Sequence, residues 1–311
     1  MPDRSDSPAQ PLYRGRFAPS PSGPLHFGSL VTAVGSYLDA RTQGGEWCVR
    51  IDDLDPPRVV AGAADTILRT LEAYGFQWDG PVLFQSARTE AYIAAFETLQ
   101  RLGVVYACGC TRREIADSIV GLPGASVYPG TCRGGLPPGK TARAFRVRTE
   151  GARIAFEDRL QGTMMVDLAR EAGDFILLRA DGPFAYQLAV VVDDAEQGIT
   201  DVVRGADLLD STPRQIHLQR LLGLPTPRYL HLPVVVNALG EKLSKQTLAP
   251  PLDPARPLPA LMAALAFLGQ TPPPELARAD VPELWRWALE HWTPARLPRV
   301  RAAPLPAGIS A

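Results

Sequence analysis

The order of predicted strands and helices in the first hundred residues constrains the fold of this 311-residue chain more than any other feature. Apolar residues there alternate between short buried runs and runs with the helical period of about 3.6 residues. The predicted elements are a strand at Tyr13 to Ala18, a helix at Leu25 to Ala40, a strand at Trp47 to Ile51, and helices at about Ala61 to Tyr74 and Glu90 to Leu102. This order predicts parallel βαβ units and therefore an α/β fold.

The middle of the chain interrupts this alternation. Residues 105–188 hold three of the four cysteines, a Gly/Pro-rich loop and strand-like segments such as Ala144 to Val147. We interpret these residues as an inserted α+β subdomain between two halves of one Rossmann-like domain. The first half is predicted to cover 12–104 and the second half 189–250.

The second half and the two ends of the chain have their own patterns. The run Ala189 to Val192 predicts a strand, Thr212 to Leu222 a helix, and Leu232 to Val236 a second buried strand. A proline-rich linker then leads into 251–311, where apolar residues near helical spacing predict a short helical region. Residues 1–11 are polar and predict a disordered tail.

The overall composition argues against several kinds of protein and partner. The formal net charge is −1 and 21% of the residues are charged, so charge alone does not indicate a nucleic-acid-binding protein. No stretch approaches about 18 consecutive apolar residues, and the polar start does not resemble a signal peptide. We therefore expect a cytoplasmic monomer with no membrane partner.

A candidate phosphate-binding motif lies where the first predicted strand turns into a helix. It reads Pro-Ser-Gly-Pro-Leu-His-Phe-Gly-Ser-Leu over residues 21–30. Backbone N–H groups at a helix start favour anions, and the small residues Gly28 and Ser29 permit a close approach of a nucleotide. His26 suits donation of a hydrogen bond to a phosphate oxygen. The alternative is a tight turn with an incidental histidine.

A second candidate motif follows the buried run Leu232 to Val236. It reads Glu-Lys-Leu-Ser-Lys-Gln over residues 241–246, so Lys242 and Lys245 flank Ser244. A lysine-bearing loop at the end of such a strand lies where open α/β sheets bind ligands. Lys245 suits stabilisation of a leaving pyrophosphate, whereas the alternative is a solvated cluster of charges.

Taken together, the two motifs resemble the signatures of the class I aminoacyl-tRNA synthetases. Residues 26–29 match the His-x-Gly-His pattern with serine in the last position, and residues 242–246 match Lys-Met-Ser-Lys-Ser with two substitutions. The resemblance implies a Rossmann-like catalytic domain in which an amino acid carboxylate attacks ATP to give an aminoacyl-adenylate and pyrophosphate. It also implies Mg²⁺ accompanying the ATP.

Three further segments resemble glutamyl- and glutaminyl-type synthetases, namely Arg14 to Gly23, Arg50 to Asp55 and Arg204 to Gln215. The resemblance then covers roughly residues 13–250 and implies L-glutamate as the substrate. Arginine suits the binding of glutamate, because its planar guanidinium pairs with a carboxylate through two hydrogen bonds. The implied roles are glutamate binding by Arg16, Ala18, Ser20, Asp52, Tyr186 and Arg204, ATP binding by His26, Gly28, Ser29 and Lys245, and catalysis by His26, Gly28, Lys242 and Lys245. Within that set, Arg16 and Arg204 would hold the glutamate carboxylates and Asp52 would bind the α-ammonium group. Related synthetases often carry glutamate at the position of Asp52.

The cysteines predict a metal site. Cys108, Cys110 and Cys132 would leave a tetrahedral zinc one ligand short, and no histidine lies nearby in the sequence. Their C-x-C…Y-x3-C arrangement resembles the zinc site of the glutamyl-queuosine tRNA(Asp) synthetases, which implies Tyr128 as the fourth ligand of a structural Zn²⁺. Water or Glu114 are the other candidates for that position, and free thiols are the alternative to a metal.

The resemblance to this subfamily also indicates an acceptor. About sixty-six residues follow Lys245, too few for a typical anticodon-binding domain. The subfamily transfers glutamate to queuosine in the anticodon loop of tRNA(Asp), and arginines in the inserted subdomain are candidate RNA contacts. These are Arg112, Arg113, Arg146 and Arg148, and a solvated charged face is the alternative for each of them. The alternatives are a truncated glutamyl-tRNA synthetase that charges a tRNA 3′ end, a noncatalytic paralogue, and a nucleotidyltransferase that uses another small acid.

Overall fold

The computed structural model of the chain describes residues 12–111, 113–115, 127–237, 240–243 and 250–305. The helices are α1 (Phe27–Arg41), α2 (Ala63–Ala73), α3 (Thr89–Arg101), α4 (Leu168–Glu171), α5 (Tyr186–Glu196), α6 (Thr212–Leu222), α7 (Pro257–Phe267) and α8 (Val281–His291). The strands are β1 (Arg14–Phe17), β2 (Glu46–Ile51), β3 (Leu83–Phe84), β4 (Val105–Cys108), β5 (Ala144–Val147), β6 (Arg153–Asp158), β7 (Gly162–Asp167), β8 (Ile176–Leu178), β9 (Asp201–Gly205), β10 (Arg228–Leu232), β11 (Val234–Val236) and β12 (Ala302–Pro304).

Parallel strands from both halves of the chain meet at the centre of the molecule. β1 pairs in parallel with β2, which pairs in parallel with β3, and β10 pairs in parallel with both β9 and β6. The two groups of strands adjoin where the Thr200 N–H donates to the Arg14 carbonyl at 2.9 Å. β7 pairs antiparallel with β6, so the sheet is mixed. The predicted α/β fold is therefore confirmed.

Residues 105–188, predicted as an insertion, contribute to two sheets. β4, β5 and β8 form a separate antiparallel sheet, and β4 ends at Cys108. The β6–β7 hairpin instead joins the central sheet, because Asp158 at the end of β6 lies beside Tyr229 of β10. This second contact places part of the predicted insertion in the central sheet.

Most predicted elements are confirmed, but the strand predicted at Ala189 to Val192 is wrong. These residues lie in the middle of α5, where Ala189, Val190 and Val191 are buried. A short apolar run that is buried on several sides has the same pattern in a helix and in a strand. The predicted strand Leu232 to Val236 is divided into β10 and β11 at Pro233, which has no N–H group for a strand hydrogen bond.

An aromatic cluster fixes the C-terminal helices against the first half of the chain. The Trp285 ring of α8 packs against Tyr37 of α1 and Phe76, with ring centroids 4.9 and 5.0 Å apart. Trp47 of β2 stacks on the other side of Phe76 at 5.4 Å. The Trp285 indole also donates a hydrogen bond to the Tyr74 carbonyl at 2.8 Å. In the part of the chain that the structure describes, no helix is long and apolar enough to span a membrane.

Truncation of this cluster should lower the free energy of unfolding substantially. We expect Trp285→Ala to cost about 3–5 kcal/mol, because it leaves a cavity and an unpaired carbonyl. Urea unfolding monitored by circular dichroism measures the change. Leu289→Ala on the same helix is the matched control, since Leu289 is 36% exposed and should change stability by at most about 0.5 kcal/mol. Equal effects of the two substitutions would contradict this role for Trp285.

Candidate active site

A cavity of about 870 Å³ opens at the carboxyl ends of the central parallel strands. Its wall includes the residues after β1, the start of α1, the end of β9 and the residues that follow β10. This is the edge at which open α/β sheets bind ligands. The predicted site residues that line it are Arg16, Ala18, Ser20, His26, Gly28, Ser29, Tyr186, Arg204 and Lys242. Asp52 does not belong to the described lining, and Lys245 lies outside the described residues.

His26 caps the N-terminus of α1. Its Nδ1 accepts a hydrogen bond from the Ser29 backbone N–H at 3.3 Å, while Nε2 lies 3.2 Å from the Ser29 hydroxyl. A neutral imidazole that accepts at Nδ1 carries its proton on Nε2. His26 is therefore set up as a hydrogen-bond donor at the positive end of a helix, which favours an anion.

Gly28 keeps the two motifs in contact with each other. A Cβ atom at this position would lie 3.1 Å from the His26 ring and 3.4 Å from the Leu243 carbonyl of the lysine motif. The chain also returns to this point after the motif, because the Leu252 N–H donates to the Leu25 carbonyl at 2.9 Å. The fold thus brings together two segments that are about two hundred residues apart, which the sequence predicted only by resemblance.

Lys242 lies at the mouth of the cavity. Its ammonium group donates to the Asp207 carboxylate at 2.5 Å and remains about half exposed. Asp207 is the one carboxylate among the described residues of the cavity wall. The other charged residues of the wall are cationic, so the cavity suits a ligand with several negative charges.

Arg204 at the end of β9 is buried, and its guanidinium is held on two sides. Its Nε donates to His231 at 3.0 Å and its Nη2 donates to the Thr212 hydroxyl at 2.7 Å. Its Nη1 is buried and has no hydrogen-bond partner within the described ranges. Because Arg204 is a buried cation on the cavity wall, an anionic ligand in the cavity would compensate its charge.

Arg16 on β1 belongs to a buried ionic network. Its guanidinium forms two hydrogen bonds, at 3.1 and 3.2 Å, with the carboxylate of Asp194 on α5. Burial alone would raise the pKa of Asp194, but Arg16 and Arg50 hold that pKa below its usual value. Asp194 therefore remains ionised and fixes Arg16 at the wall of the cavity.

Asp52 lies behind the cavity wall as a partner of Arg50. Its carboxylate accepts from Arg50 Nε at 2.8 Å, and burial raises the pKa of Asp52 to about 6 although Arg50 opposes the shift. Arg50 also donates to Asp194 at 2.6 Å. The described contacts of Asp52 thus connect it to the buried network that supports Arg16.

Cys108, Cys110 and Cys132 converge in the antiparallel sheet region. Their sulfur atoms all lie within 4.8 Å of one another, and the Tyr128 hydroxyl oxygen lies 3.4 Å from the Cys108 sulfur and 3.7 Å from the Cys110 sulfur. Burial raises the pKa of the Cys110 thiol to about 11 in the absence of a cation. Glu114 is not part of this group, because its carboxylate accepts from Thr111 and Lys140.

The structure changes the interpretation of the candidate RNA contacts. Arg146 is buried, donates to the Asp174 carbonyl at 2.7 Å and lies over the Tyr128 ring at 3.9 Å, so the prediction that it contacts RNA is wrong. Arg148 is half-buried and donates to the Arg133 carbonyl. Arg113 is exposed, and Arg112 lies outside the described residues.

Sequence reasoning missed three buried residues that hold the cavity arginines, namely Asp158, Asp194 and His231. A pair of carboxylates directly after the apolar run Ala189 to Val192 was the available signal for Asp194, since acidic residues are rarely buried without a partner. No comparable signal marks Asp158 or His231, whose partners are distant in the sequence.

Comparisons with known proteins agree with this geometry. The family of class I tRNA synthetases (E and Q), catalytic domain, matches residues 13–119 and 138–253. A glutamyl-Q tRNA(Asp) synthetase from Aromatoleum aromaticum is 63% identical over 97% of this chain and 96% of its own length. The protein of the same name from Dechloromonas aromatica is 62% identical over 95% of this chain and 99% of its own length.

A solved structure supports the same assignment. The crystal structure of a glutamate tRNA ligase from Elizabethkingia meningosepticum, in complex with its amino acid, has a TM-score of 0.77 and 26% sequence identity. The match covers 95% of this chain and 67% of that chain. The chain is thus a ligase of the aminoacyl-tRNA synthetase type, and it belongs to the class I synthetase family for glutamate and glutamine, within the group of relatives named glutamyl-Q tRNA(Asp) synthetase.

Proposed function

We propose that this enzyme activates L-glutamate with ATP and transfers the glutamyl group to queuosine in the anticodon loop of tRNA(Asp). The observation that carries the proposal is the pair of buried arginines, Arg16 and Arg204, on the wall of one cavity. A ligand with two carboxylates would compensate their charge. The acceptor tRNA rests on the names of the relatives, which share about 60% of their sequence with this chain.

Glutamate has two carboxylates, and the cavity wall offers two arginines. Arg204 would hold one carboxylate, and Arg16 would hold the other while Asp194 fixes its position. Tyr186, the first residue of α5, lies on the same wall and gives the ligand an apolar surface. Glutamine carries one carboxylate fewer, so this arrangement favours glutamate by charge.

ATP would lie with its phosphates at the start of α1. The His26 Nε2–H and the backbone N–H groups of the helix donate to phosphate oxygens, and Gly28 permits their close approach. A glutamate carboxylate oxygen bonds to the α-phosphorus while the bond from that phosphorus to the β-phosphate oxygen breaks. Lys242, together with Lys245, would stabilise the negative charge that builds up on the departing pyrophosphate. In the second step, a nucleophilic group of queuosine attacks the glutamyl carbonyl and AMP leaves.

Mg²⁺ is expected to arrive with the ATP. Asp207 is the only carboxylate on the described part of the cavity wall, and Lys242 already contacts it. The wall therefore lacks the set of oxygen ligands that a resident magnesium ion prefers, so the phosphates would provide them. The ion would neutralise phosphate charge during the attack.

The cysteine cluster suits a structural zinc ion. Zinc bonds of about 2.3 Å to sulfur and 2.0 Å to oxygen at tetrahedral angles separate two sulfurs by about 3.8 Å and a sulfur from an oxygen by about 3.5 Å. The Cys110 and Cys132 sulfurs are 3.5 Å apart, and the Tyr128 oxygen lies 3.4 and 3.7 Å from two of the sulfurs. This near match supports Cys108, Cys110, Cys132 and Tyr128 as the four ligands.

Transfer of radiolabelled glutamate tests the whole proposal. With ATP and Mg²⁺, we expect label on tRNA(Asp) that contains queuosine and none on the same tRNA without it. The label should survive removal of the 3′ terminal adenosine, because the anticodon carries it. Label on the 3′ end of either tRNA would instead identify a shortened glutamyl-tRNA synthetase.

Replacement of Arg204 tests the carboxylate contact. Arg204→Lys keeps the positive charge but removes the guanidinium fork, so the KM for glutamate should rise by about tenfold or more. The KM for ATP should stay within about twofold in the same pyrophosphate-exchange assay. Arg228→Lys, at the start of β10, is the matched control because Arg228 does not line the described cavity. An unchanged glutamate KM in Arg204→Lys would refute the assignment.

Metal analysis tests the cysteine cluster. Protein purified without chelators should hold about one zinc per chain, and Cys132→Ser should lose it. Tyr128→Phe should retain zinc with an affinity lowered by about tenfold or more, measured by competition with a chromogenic chelator. Cys48→Ser is the matched control, since Cys48 lies outside the cluster. Metal-free protein from zinc-replete cells would contradict the proposal.

A further inference from the structure

A chain of buried polar contacts leads from the β6–β7 turn to Arg204. The Asp158 Oδ2 lies 2.6 Å from His231 Nδ1, and His231 Nε2 lies 3.0 Å from Arg204 Nε. All three residues are buried, and His231 is fully so. The chain therefore connects the β6–β7 turn to the guanidinium at the cavity wall.

The contacts fix which nitrogen of His231 carries the proton. A guanidinium nitrogen can only donate, so His231 Nε2 must accept from Arg204 with its lone pair. The single proton of the neutral ring then lies on Nδ1 and is donated to Asp158. A second proton on Nε2 would point at a cationic donor, and burial in addition lowers the pKa of His231.

Asp158 is itself held in one orientation. Its Oδ1 accepts from the backbone N–H groups of Leu160, Gln161 and His231 at 3.0, 2.8 and 3.3 Å. Because Oδ1 is fully engaged by donors, Oδ2 is the oxygen that faces the imidazole. The backbone of the turn thus orients the carboxylate, and the carboxylate orients the ring.

We propose that Asp158 and His231 are positioning residues for glutamate binding, because they hold the Arg204 guanidinium in one orientation at the cavity wall. This inference rests on the proposed function of Arg204. His231 accepts from Nε and the Thr212 hydroxyl accepts from Nη2, so the guanidinium is fixed on two sides. A rotated guanidinium would offer the substrate a different edge, and small misplacements of a binding group are costly.

The near-isosteric substitution Asp158→Asn separates positioning from packing. The backbone donors require the amide oxygen at the Oδ1 position, so the amide NH₂ must face His231 Nδ1. The ring can then accept only at Nδ1, and its proton moves to Nε2, where Arg204 Nε loses its acceptor and the Thr212 hydroxyl at 3.1 Å becomes the partner of the proton. We expect the KM for glutamate to rise by about tenfold or more and the KM for ATP to stay within about twofold in pyrophosphate exchange.

Two substitutions at His231 provide the matched comparison. His231→Gln places an amide oxygen near the Nε2 position and should keep the hydrogen bond to Arg204, so its glutamate KM should stay within about threefold of the unsubstituted value. His231→Asn reaches only the Nδ1 position, leaves Arg204 Nε without its acceptor, and should raise the glutamate KM by about tenfold. Adding Asp158→Asn to His231→Gln should have little further effect, because no tautomer remains to be changed.

Nitrogen-15 NMR of the histidine rings supplies a readout independent of activity. The chain has four histidines, and the His231→Gln variant assigns the His231 signals by their loss. The unsubstituted protein should give the Nδ1–H pattern for His231, and Asp158→Asn should give the Nε2–H pattern.

The outcomes discriminate among the alternatives. A changed tautomer with an unchanged glutamate KM would overturn the inference. A parallel loss of ATP affinity, glutamate affinity and melting temperature in Asp158→Asn would also overturn it, as the sign of a purely structural role. Absence of glutamate-dependent exchange in the unsubstituted enzyme is the separate result that would overturn the proposed function itself.

Discussion

The buried guanidinium of Arg50 is the constraint on which the wall of the cavity depends. It lies on β2 and is paired with Asp52 of its own half and with Asp194 and Gln197 of the second half. Removing one partner of such a buried pair costs about 3–5 kcal/mol, so the two halves must dock in one arrangement. Asp194 contacts Arg16 as well, and the wall of the cavity is therefore complete only when this docking has occurred.

The sequence was a good guide to elements with a clear amphipathic period. The helices near Ala61 to Tyr74 and Glu90 to Leu102 and the strand Ala144 to Val147 are confirmed, because one apolar face or one short buried run defines each of them. Ala189 to Val192 failed because burial on several sides removes the periodic signal. The division at Pro233 follows from the missing N–H group of proline, a local signal that the continuous apolar run around it obscured.

The candidate site was predictable to the extent that it consists of short contiguous motifs. His26, Arg16 and Arg204 meet in one cavity because each follows or ends a parallel strand, and such ends share one edge of a sheet. Chemistry indicated the three cysteines, whereas Tyr128 was implied only by resemblance. Arg146 was wrongly placed, since an arginine looks the same in sequence whether it is solvated or stacked on a buried ring. Asp158 and His231 were missed because their contact spans 73 positions and leaves no local trace.

The pairing of β11 with β12 has a consequence for synthesis of the protein. β11, at Val234–Val236, leads directly to the lysine motif, and its parallel partner is β12, at Ala302–Pro304. A ribosome adds about 5–20 residues per second, so the nascent chain exposes the apolar edge of β11 for several seconds before its partner emerges. An open strand edge of this kind is a template for mispairing between chains. Correct formation of the strand that leads to the lysine motif therefore depends on β12 reaching β11 before another chain pairs with its edge.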